Sequence, residues 1–431
     1  MHEDVRPPHL EMLAWTTRTI QPNNQGMTDK PASGPLVGVK VLELGHVMAG
    51  PVCGMMLADM GADVIKLEKT SGGDDSRRMI PPQIKNESAA FLVLNRNKRG
   101  IAVDLKSPHG IEIVKKLIQE VDILIENFRL GTMERLGLDY GLIQKLNPSL
   151  VYCSLSGFGR TGPYASRGGF DLVAQGMSGL MSITGQRNNQ APVKVGPPVT
   201  DITAGILGAM GVLAAYSHRL KTGEGQLVDT SLYEAGIVQT YFHSAIFLAT
   251  GESPGPLGSA HIMSAPYQAF PTADGWITVG AANQANWLRL VDVIEAPELL
   301  KDKRFTENAD RMAHLDALSE ALESYFRRRT SSDWLSRFAN VGLPAGPIYN
   351  IEEVLKDQQT AAREMLVEVP HKTLGNMKAI GAPIKFSNTP GAVLRGAPIL
   401  GEHTREILSE IGFSAEEINQ LKSEGVVKTA D

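Results

Sequence analysis

From Val39 onward the chain alternates short, fully apolar runs with amphipathic stretches. Val39–Leu44 (VKVLEL) has the length and composition of a buried strand. A loop carrying Gly45, Gly50 and Pro51 follows, then a helical stretch over Val52–Met60 with Gly61 placed to end it in a left-handed turn. Ala62–Leu67 (ADVIKL) is a second strand, running into Glu68. Strand, helix and strand in that order predict a parallel pair joined by a right-handed crossover. The pattern continues with strands at Gly100–Leu105, Val121–Ile125 and Leu150–Ser154. Helices lie between them at Ser107–Gln119, with Pro108 in the first turn, and at Met133–Leu136 and Tyr140–Leu146. Such alternation predicts an α/β domain built on a parallel sheet. Gly157–Gly169 holds five glycines and a proline and reads as a long loop at the strand ends, with a helix over Asp171–Met181 after it.

The stretch Gly196–Tyr216 (GPPVTDITAGILGAMGVLAAY) changes character at Asp201. Pro197 and Pro198 cannot sit inside a helix, whereas the apolar run after Asp201 can. Gly205, Gly208 and Gly211 recur every third residue and so share one helical face, along which another backbone can approach closely. Asp201 falls at the helix start. Two compatible readings follow: an N-cap, or a nucleophilic or basic carboxylate kept ionised by the helix terminus.

Beyond Thr222 the pattern becomes α+β. A strand at Gln226–Ser231 leads into a long helix at Leu232–Thr250, a Gly/Pro hinge at Glu252–Ser259, and a hairpin of Tyr267–Phe270 with Trp276–Gly280. Helices follow at Ala285–Ile294, Arg311–Arg327 and Ser331–Asn340, then a linker at Gly342–Gly346. The last segment carries a hairpin over Val367–Ile380 and helices at Thr404–Ile411 and Ser414–Ser423. The chain therefore divides into a disordered N-terminal tail (1–33), an α/β segment (34–225), a small α+β domain with linkers (226–345) and a C-terminal segment (346–431). Met27 is the expected natural start, because the residues before it are polar, mixed and aperiodic.

Composition narrows the function. The 431 residues carry a net charge of −5, which offers no bulk attraction to nucleic acid or an anionic membrane. Two cysteines, Cys53 and Cys153, are too few for a disulfide framework, and a cytoplasmic setting is expected. No run approaches the ~18 uninterrupted apolar residues of a membrane span, and the acidic N-terminus does not resemble a signal peptide.

The motifs of several common enzyme classes are missing. Gly45, Gly50 and Gly54 do not have dinucleotide-fingerprint spacing, although Glu68 ends the second strand where a ribose-binding acid would sit. The histidines are scattered without metal-ligand spacing, so no metal is expected. No G-x-S-x-G nucleophile elbow occurs. Several of the basic residues near strand ends (Lys66, Lys69, Lys98, Arg99, Lys106, Arg129 and Arg135) would share one sheet edge, where as a set they can hold a phosphorylated ligand.

Nine segments in order carry a resemblance: GHVMAGPVCGMMLADMGADVIKLEK, NRNKRGIAVDLKSPHG, ENFRLGTMERLGL, YCSLSGFGRTGPY, GLMSITG, TDITAG, SAPYQAF…DGWITVGAAN, GLPAGPIYN and LGEHT. From about Leu36 to Val427 the chain resembles the family III CoA-transferases, the group of the formyl-CoA:oxalate and carnitine enzymes. The resemblance implies a large Rossmann-like domain built from both chain ends, a small domain between them, and two subunits threaded through each other as interlocked rings. It implies a homodimer that transfers CoA from an acyl-CoA to a carboxylic acid, with a CoA thioester as substrate and no permanently bound cofactor. The family nucleophile matches Asp201. Its carboxylate attacks the thioester to give a mixed anhydride, CoA returns to form an aspartyl thioester, and CoA then passes to the acceptor. The amides of Val47, Met48 and Ala49 are the expected donors to the tetrahedral intermediates. The matching CoA contacts are Val47, Met48, Ala49, Lys69, Val103, Lys106, Asn127, Phe128, Arg129 and Arg135, the bases serving phosphates and the apolar positions adenine.

Three departures bear on substrate. Met48 replaces a glutamine of the formyl-CoA enzymes, Met79 a pocket tryptophan, and Pro256–His261 their glycine-rich lid. Gly258, Ser259 and His261 make that lid look more like the relatives that move CoA from succinyl-CoA to another dicarboxylate. Two alternatives stand beside transfer. An α-methylacyl-CoA racemase would use Asp171 and Asp201, but its histidine position is Phe170, which cannot shuttle a proton. A non-catalytic CoA-binding protein would retain Asp201 only as a cap.

Overall fold

The computed structural model describes residues 33–187 and 191–430. The tail expected over 1–33, Ser33 apart, and the start at Met27 lie outside the described residues. In chain order the main elements are β1 (Lys40–Glu43), α1 (Ala49–Asp59), β2 (Asp63–Glu68), β3 (Arg99–Val103), α2 (Pro108–Glu120), β4 (Ile123–Glu126), β5 (Val151–Ser156), α3 (Asp171–Met177), α4 (Val199–Thr222), β6 (Leu227–Ser231), α5 (Leu232–Val238), α6 (Tyr241–Thr250), β7 (Tyr267–Pro271), β8 (Trp276–Gly280), β9 (Ala345–Pro347), the hairpin β10 (Leu366–His371) and β11 (Gly375–Ile380), and β12 (Val427–Lys428).

A seven-stranded sheet runs β12-β3-β2-β1-β4-β5-β6. All its pairs are parallel except β12 against β3. Alternate residues feed two cores. Leu42, Ile65, Leu67 and Leu124 pack towards α2, whereas Val41, Val64, Ile123 and Ile125 pack towards α1 and α4. Both faces are covered, as a parallel sheet requires. Strand order reverses between β1 and β4, and the crevice at such a switch point is where open α/β sheets bind ligands.

The glycine face of α4 does what its spacing predicts. A Cβ on Gly205 would lie 2.7 Å from Val52 Cβ and 2.8 Å from the Ala49 carbonyl oxygen; one on Gly208 would meet Leu155 at 2.9 Å, and one on Gly211 would meet Val228 at 2.6 Å. At 24 residues, α4 is long and apolar enough to cross a membrane by composition. Its close contacts with α1, β5 and β6 instead place it against the sheet. Cys53 and Cys153 meet beneath Gly208, both buried and both free.

A separate core gathers Phe270, Trp287, Phe326, Trp334 and Phe338. It packs beside the antiparallel sheet β9-β8-β7.

Several boundaries differ from the pattern. The strand at 227–231, grouped with the small domain on sequence, pairs in parallel with β5 and belongs to the large sheet. The long helix after it breaks at Gln239–Thr240, where the Thr240 hydroxyl turns back onto the Ile237 carbonyl at 2.8 Å. The helix expected over Asp171–Met181 breaks at Gly179, which takes a φ of 90°. The linker at Gly342–Gly346 supplies most of β9. Strand β12 has no counterpart in the pattern, because two residues carry no periodicity.

Candidate active site

Three loops meet at the switch point. His46–Met48 follows β1, Asn127–Leu130 follows β4, and the glycine-rich loop after β5 closes a third side. Between them lies a cavity of about 710 Å³ whose walls include His46, Val47, Met48, Asn127, Phe128, Arg129, Arg167, Phe170, Asp171 and Asp201. Six of the sequence-derived site residues thus come together: Val47, Met48, Asn127, Phe128, Arg129 and Asp201. Met79 also lines this space. Asn127 stitches two of the loops, accepting from the His46 amide at 2.7 Å and donating to the His46 carbonyl at 2.9 Å.

Asp201 is not the N-cap. Helix α4 begins at Val199 with Pro198 in the cap position, so Asp201 is its third residue. The capping role falls to Asp171, from the start of α3, whose Oδ1 accepts from the Thr200 amide at 3.0 Å and the Thr200 hydroxyl at 2.8 Å. Gln175 donates to the other Asp171 oxygen at 2.8 Å. The Asp201 carboxylate accepts no hydrogen bond among the described residues and faces the cavity. Burial, then the nearby Asp171 charge, push its pKa up to about 7. The helix start alone therefore does not keep it ionised. A carboxylate with free lone pairs, little hydration and raised basicity is suited to attack a carbonyl.

The remaining site residues are more dispersed. Ala49 is buried as the first residue of α1. Lys69 pairs with Asp75, a cavity-lining residue, at 2.7 Å. Lys106 is exposed in the turn after β3, and Arg135 donates to Thr132 Oγ1 at 2.8 Å. Val103 is a correction: its side chain is fully buried in the sheet core and presents no surface to an adenine. Glu68 is another. It is fully buried and held by the Arg77 guanidinium through two bonds of 2.7 Å, so it is not available to a ribose. The lid segment does not wall the Asp201 cavity. The Gly258 amide donates to the Gly185 carbonyl at 2.8 Å, and Pro256 lines a different recess with Met181 and Thr184.

The expected oxyanion donors also change. The Val47 amide is taken by Asp74, at 3.1 and 3.2 Å from its two carboxylate oxygens. The Met48 amide donates to the His46 carbonyl at 2.9 Å, closing a γ-turn about Val47. Val47 has a φ of 64°, a strained conformation for a β-branched residue. Of the first three amides, only that of Ala49 has no acceptor among the described residues; the Gly50 amide is free likewise.

Beneath this loop lies a buried ionic network that the sequence pattern does not reveal. Glu43, Lys66, Asp74 and Lys98 are all fully buried. Lys66 Nζ lies 3.0 Å from Glu43 and 2.7 Å from Asp74, and it also bonds to the Gly45 carbonyl. Lys98 Nζ lies 2.8 Å from the other Glu43 oxygen. Burial works against charge at Asp74, but Lys66 and the Ser76 amide outweigh it and hold the carboxyl well below its usual range. Burial pushes Lys98 down to about 8. The available signal was Lys66 itself, a charged residue in the interior of an apolar strand. His46 was missed as well. Its ring lies 5.6 Å from that of Phe128, and burial followed by Lys66 lowers its pKa.

The cavity sets an unpartnered, half-buried carboxylate beside two arginines, an arrangement suited to covalent group transfer. The sequence profile of CoA-transferase family III matches residues 36–404, and the chain belongs to that family. The chain is 40% identical to the succinate–glutarate CoA-transferase of Agrobacterium fabrum, over 89% of this chain and 98% of that protein. It is 39% identical to an acyl-CoA transferase of Fusarium pseudograminearum, over 94% and 91%. A CaiB/BaiF family protein from Brucella suis superposes with a TM-score of 0.78 at 37% identity, over 88% of this chain and all of that one. The protein is a CoA-transferase.

Proposed function

We propose that the enzyme moves CoA from an acyl-CoA, succinyl-CoA first among the candidates, to a dicarboxylic acid through covalent intermediates on Asp201. The observation that carries this is the unpartnered Asp201 carboxylate in the switch-point cavity. An Asp201 oxygen attacks the thioester carbonyl carbon, the C–S bond breaks, and CoA leaves as thiolate with a mixed anhydride behind it. The thiolate attacks the aspartyl carbonyl, expelling the donor acid as its carboxylate and leaving an aspartyl-CoA thioester. The acceptor carboxylate attacks that thioester, and the thiolate released attacks the acceptor's carbonyl in the new anhydride. The new acyl-CoA leaves and Asp201 is restored. The Ala49 and Gly50 amides, at the start of α1, meet the developing oxyanion, aided by the helix terminus. Arg129 and the bases beyond it serve CoA.

Arg167 lines the same cavity, stacked 4.4 Å from the Tyr164 ring, with no carboxylate partner among the described residues. It is the anchor for the second carboxylate of a dicarboxylic acid. The enzyme works as a homodimer in the cytoplasm, its large domain closed by the returning C-terminal segment and its small domain formed by residues between.

Mass spectrometry of acyl-CoA products tests this, with succinyl-CoA, a pool of mono- and dicarboxylic acids, and an Asp201→Ala control. A new acyl-CoA absent from the control is expected. Arg167→Gln should raise KM for a dicarboxylate about tenfold or more and leave its monomethyl ester little changed. No new acyl-CoA from succinyl-, acetyl- or formyl-CoA, with deuterium entering the α-carbon in heavy water, would point to a racemase instead.

A further inference from the structure

The loop that follows β1 is held in place from beneath. Val47 is a β-branched residue at a φ of 64°, a state that persists only where its surroundings impose it. What imposes it is visible. Both Asp74 oxygens accept from the Val47 amide, and Asp74 Oδ1 also accepts from the Ser76 amide and hydroxyl, each at 2.8 Å. Asp74 is fully buried and does not line the cavity. It is held by Lys66, which bonds the Gly45 carbonyl at the other end of the same turn. The Asp74 amide is in turn fixed by Glu68 at 2.8 Å. Most polar contacts of this device end on the backbone of Gly45–Val47 or on its own supports; the exception is the His46 ring, whose Nδ1 lies 3.8 Å from Asp74 Oδ2. One step further along the chain, the unpaired amides of Ala49 and Gly50 begin α1.

We propose that Asp74 is a positioning residue for the transfer reaction: seated on Lys66, it forces the Val47 turn and so aims the first amides of α1 at the acyl group. The inference rests on the reading that those amides receive the oxyanion. It makes a distinction that simple structural support would not. The strained turn costs free energy that a merely structural loop could avoid with glycine at this position, as glycine takes positive φ without penalty. Keeping valine there requires Asp74.

The test is a mutant cycle on the full-length enzyme, with succinyl-CoA and the acceptor identified for the wild type. Asp74→Asn is nearly isosteric and should lower kcat about 10- to 100-fold, while the Kd for free CoA, measured by calorimetry, moves less than about threefold. Val47→Gly in the Asp74→Asn background should recover about tenfold of the loss, because glycine holds the turn unaided; Val47→Gly alone supplies the fourth corner of the cycle. Lys66→Met/Asp74→Asn leaves no buried cation unpaired and should show the same kcat loss. Asp74→Asn turning over within about twofold of wild type, a loss confined to CoA affinity, or a loss that glycine does not repair would each overturn the proposal. A wild-type enzyme that transfers nothing would instead sink the reading of the function. Wild-type transfer through Asp201 with Asp74→Asn unaffected would sink only the role of Asp74.

Discussion

At the scale of the residue, the chemistry turns on one carboxyl and its neighbour. Asp201 titrates near pH 7 instead of its ordinary 3.8, first through burial and then through Asp171. The attacking form is the anion, so kcat/KM for acyl-CoA should rise with pH through about 7 and level off above it, read from initial rates across pH 5.5–9. Asp171→Asn removes the like charge while its remaining oxygen can still accept from Thr200. The rising limb should move to lower pH, at a stability cost of about 1 kcal/mol for the lost Gln175 bond. The same shift has a consequence for folding. A carboxyl whose pKa is raised by folding favours the folded state fully below its unfolded pKa and loses that contribution as pH rises through its folded one. Asp201→Asn should therefore be more stable than wild type above about pH 7, by roughly 1–3 kcal/mol once partial exposure is allowed for. The difference should vanish near pH 4, as urea unfolding at pH 4, 6 and 8 can show. A destabilised mutant at pH 8 would contradict the desolvation argument.

Elements set these groups in place, and α4 does so through what it lacks. Its glycines let α1 and the sheet come within contact of its backbone, bringing Asp201 beside the start of α1. Gly205→Ala would drive a methyl to 2.8 Å from the Ala49 carbonyl and 2.7 Å from Val52 Cβ. Gly211→Ala would meet a Val228 methyl instead, far from the cavity. Both should cost about 1–3 kcal/mol by overpacking. Only Gly205→Ala should also lower kcat, since only it displaces the α1 terminus. Melting temperatures set against turnover numbers separate the two. This face was legible because a three-residue spacing is a local signal. So was the strand–helix alternation, and through it the crevice that gathers Val47, Met48, Asn127, Phe128 and Arg129. The cap on α4 was not legible: Asp171 reaches Thr200 from 29 positions away, and nothing local marks it. Nor was the pairing of strand-end acids. Glu43, Glu68 and Glu126 all end parallel strands and are all buried. Glu43 holds lysines, Glu68 holds Arg77 and the Asp74 amide, and Glu126 holds the Phe128 amide at 2.7 Å. From the sequence alone, only the missing glycine fingerprint argues against Glu68 as a ribose ligand; its burial is a property of the assembled sheet.

For the whole molecule, the telling surface is α6. It is rich in large apolar side chains, yet none of its residues is buried: Leu248 is 82% exposed and Tyr241 70%. Contiguous apolar faces of this kind mark association sites. The proposed homodimer would cover α6, and sedimentation at micromolar concentration should then give twice the chain mass, reduced to the chain mass by Phe242→Asp with Leu248→Asp. Interlocking makes a sharper demand than dimerisation. Two threaded rings cannot part by breaking surface contacts alone; one chain must open first, so separation needs an unfolding event and its large activation enthalpy. Differently labelled wild-type dimers mixed at 25 °C should then exchange subunits no faster than the protein unfolds, with exchange accelerating only close to the melting temperature. An ordinary face-to-face dimer would exchange at its own dissociation rate, independent of unfolding. Exchange within minutes in a protein whose unfolding takes hours would leave the dimer standing and remove the interlock.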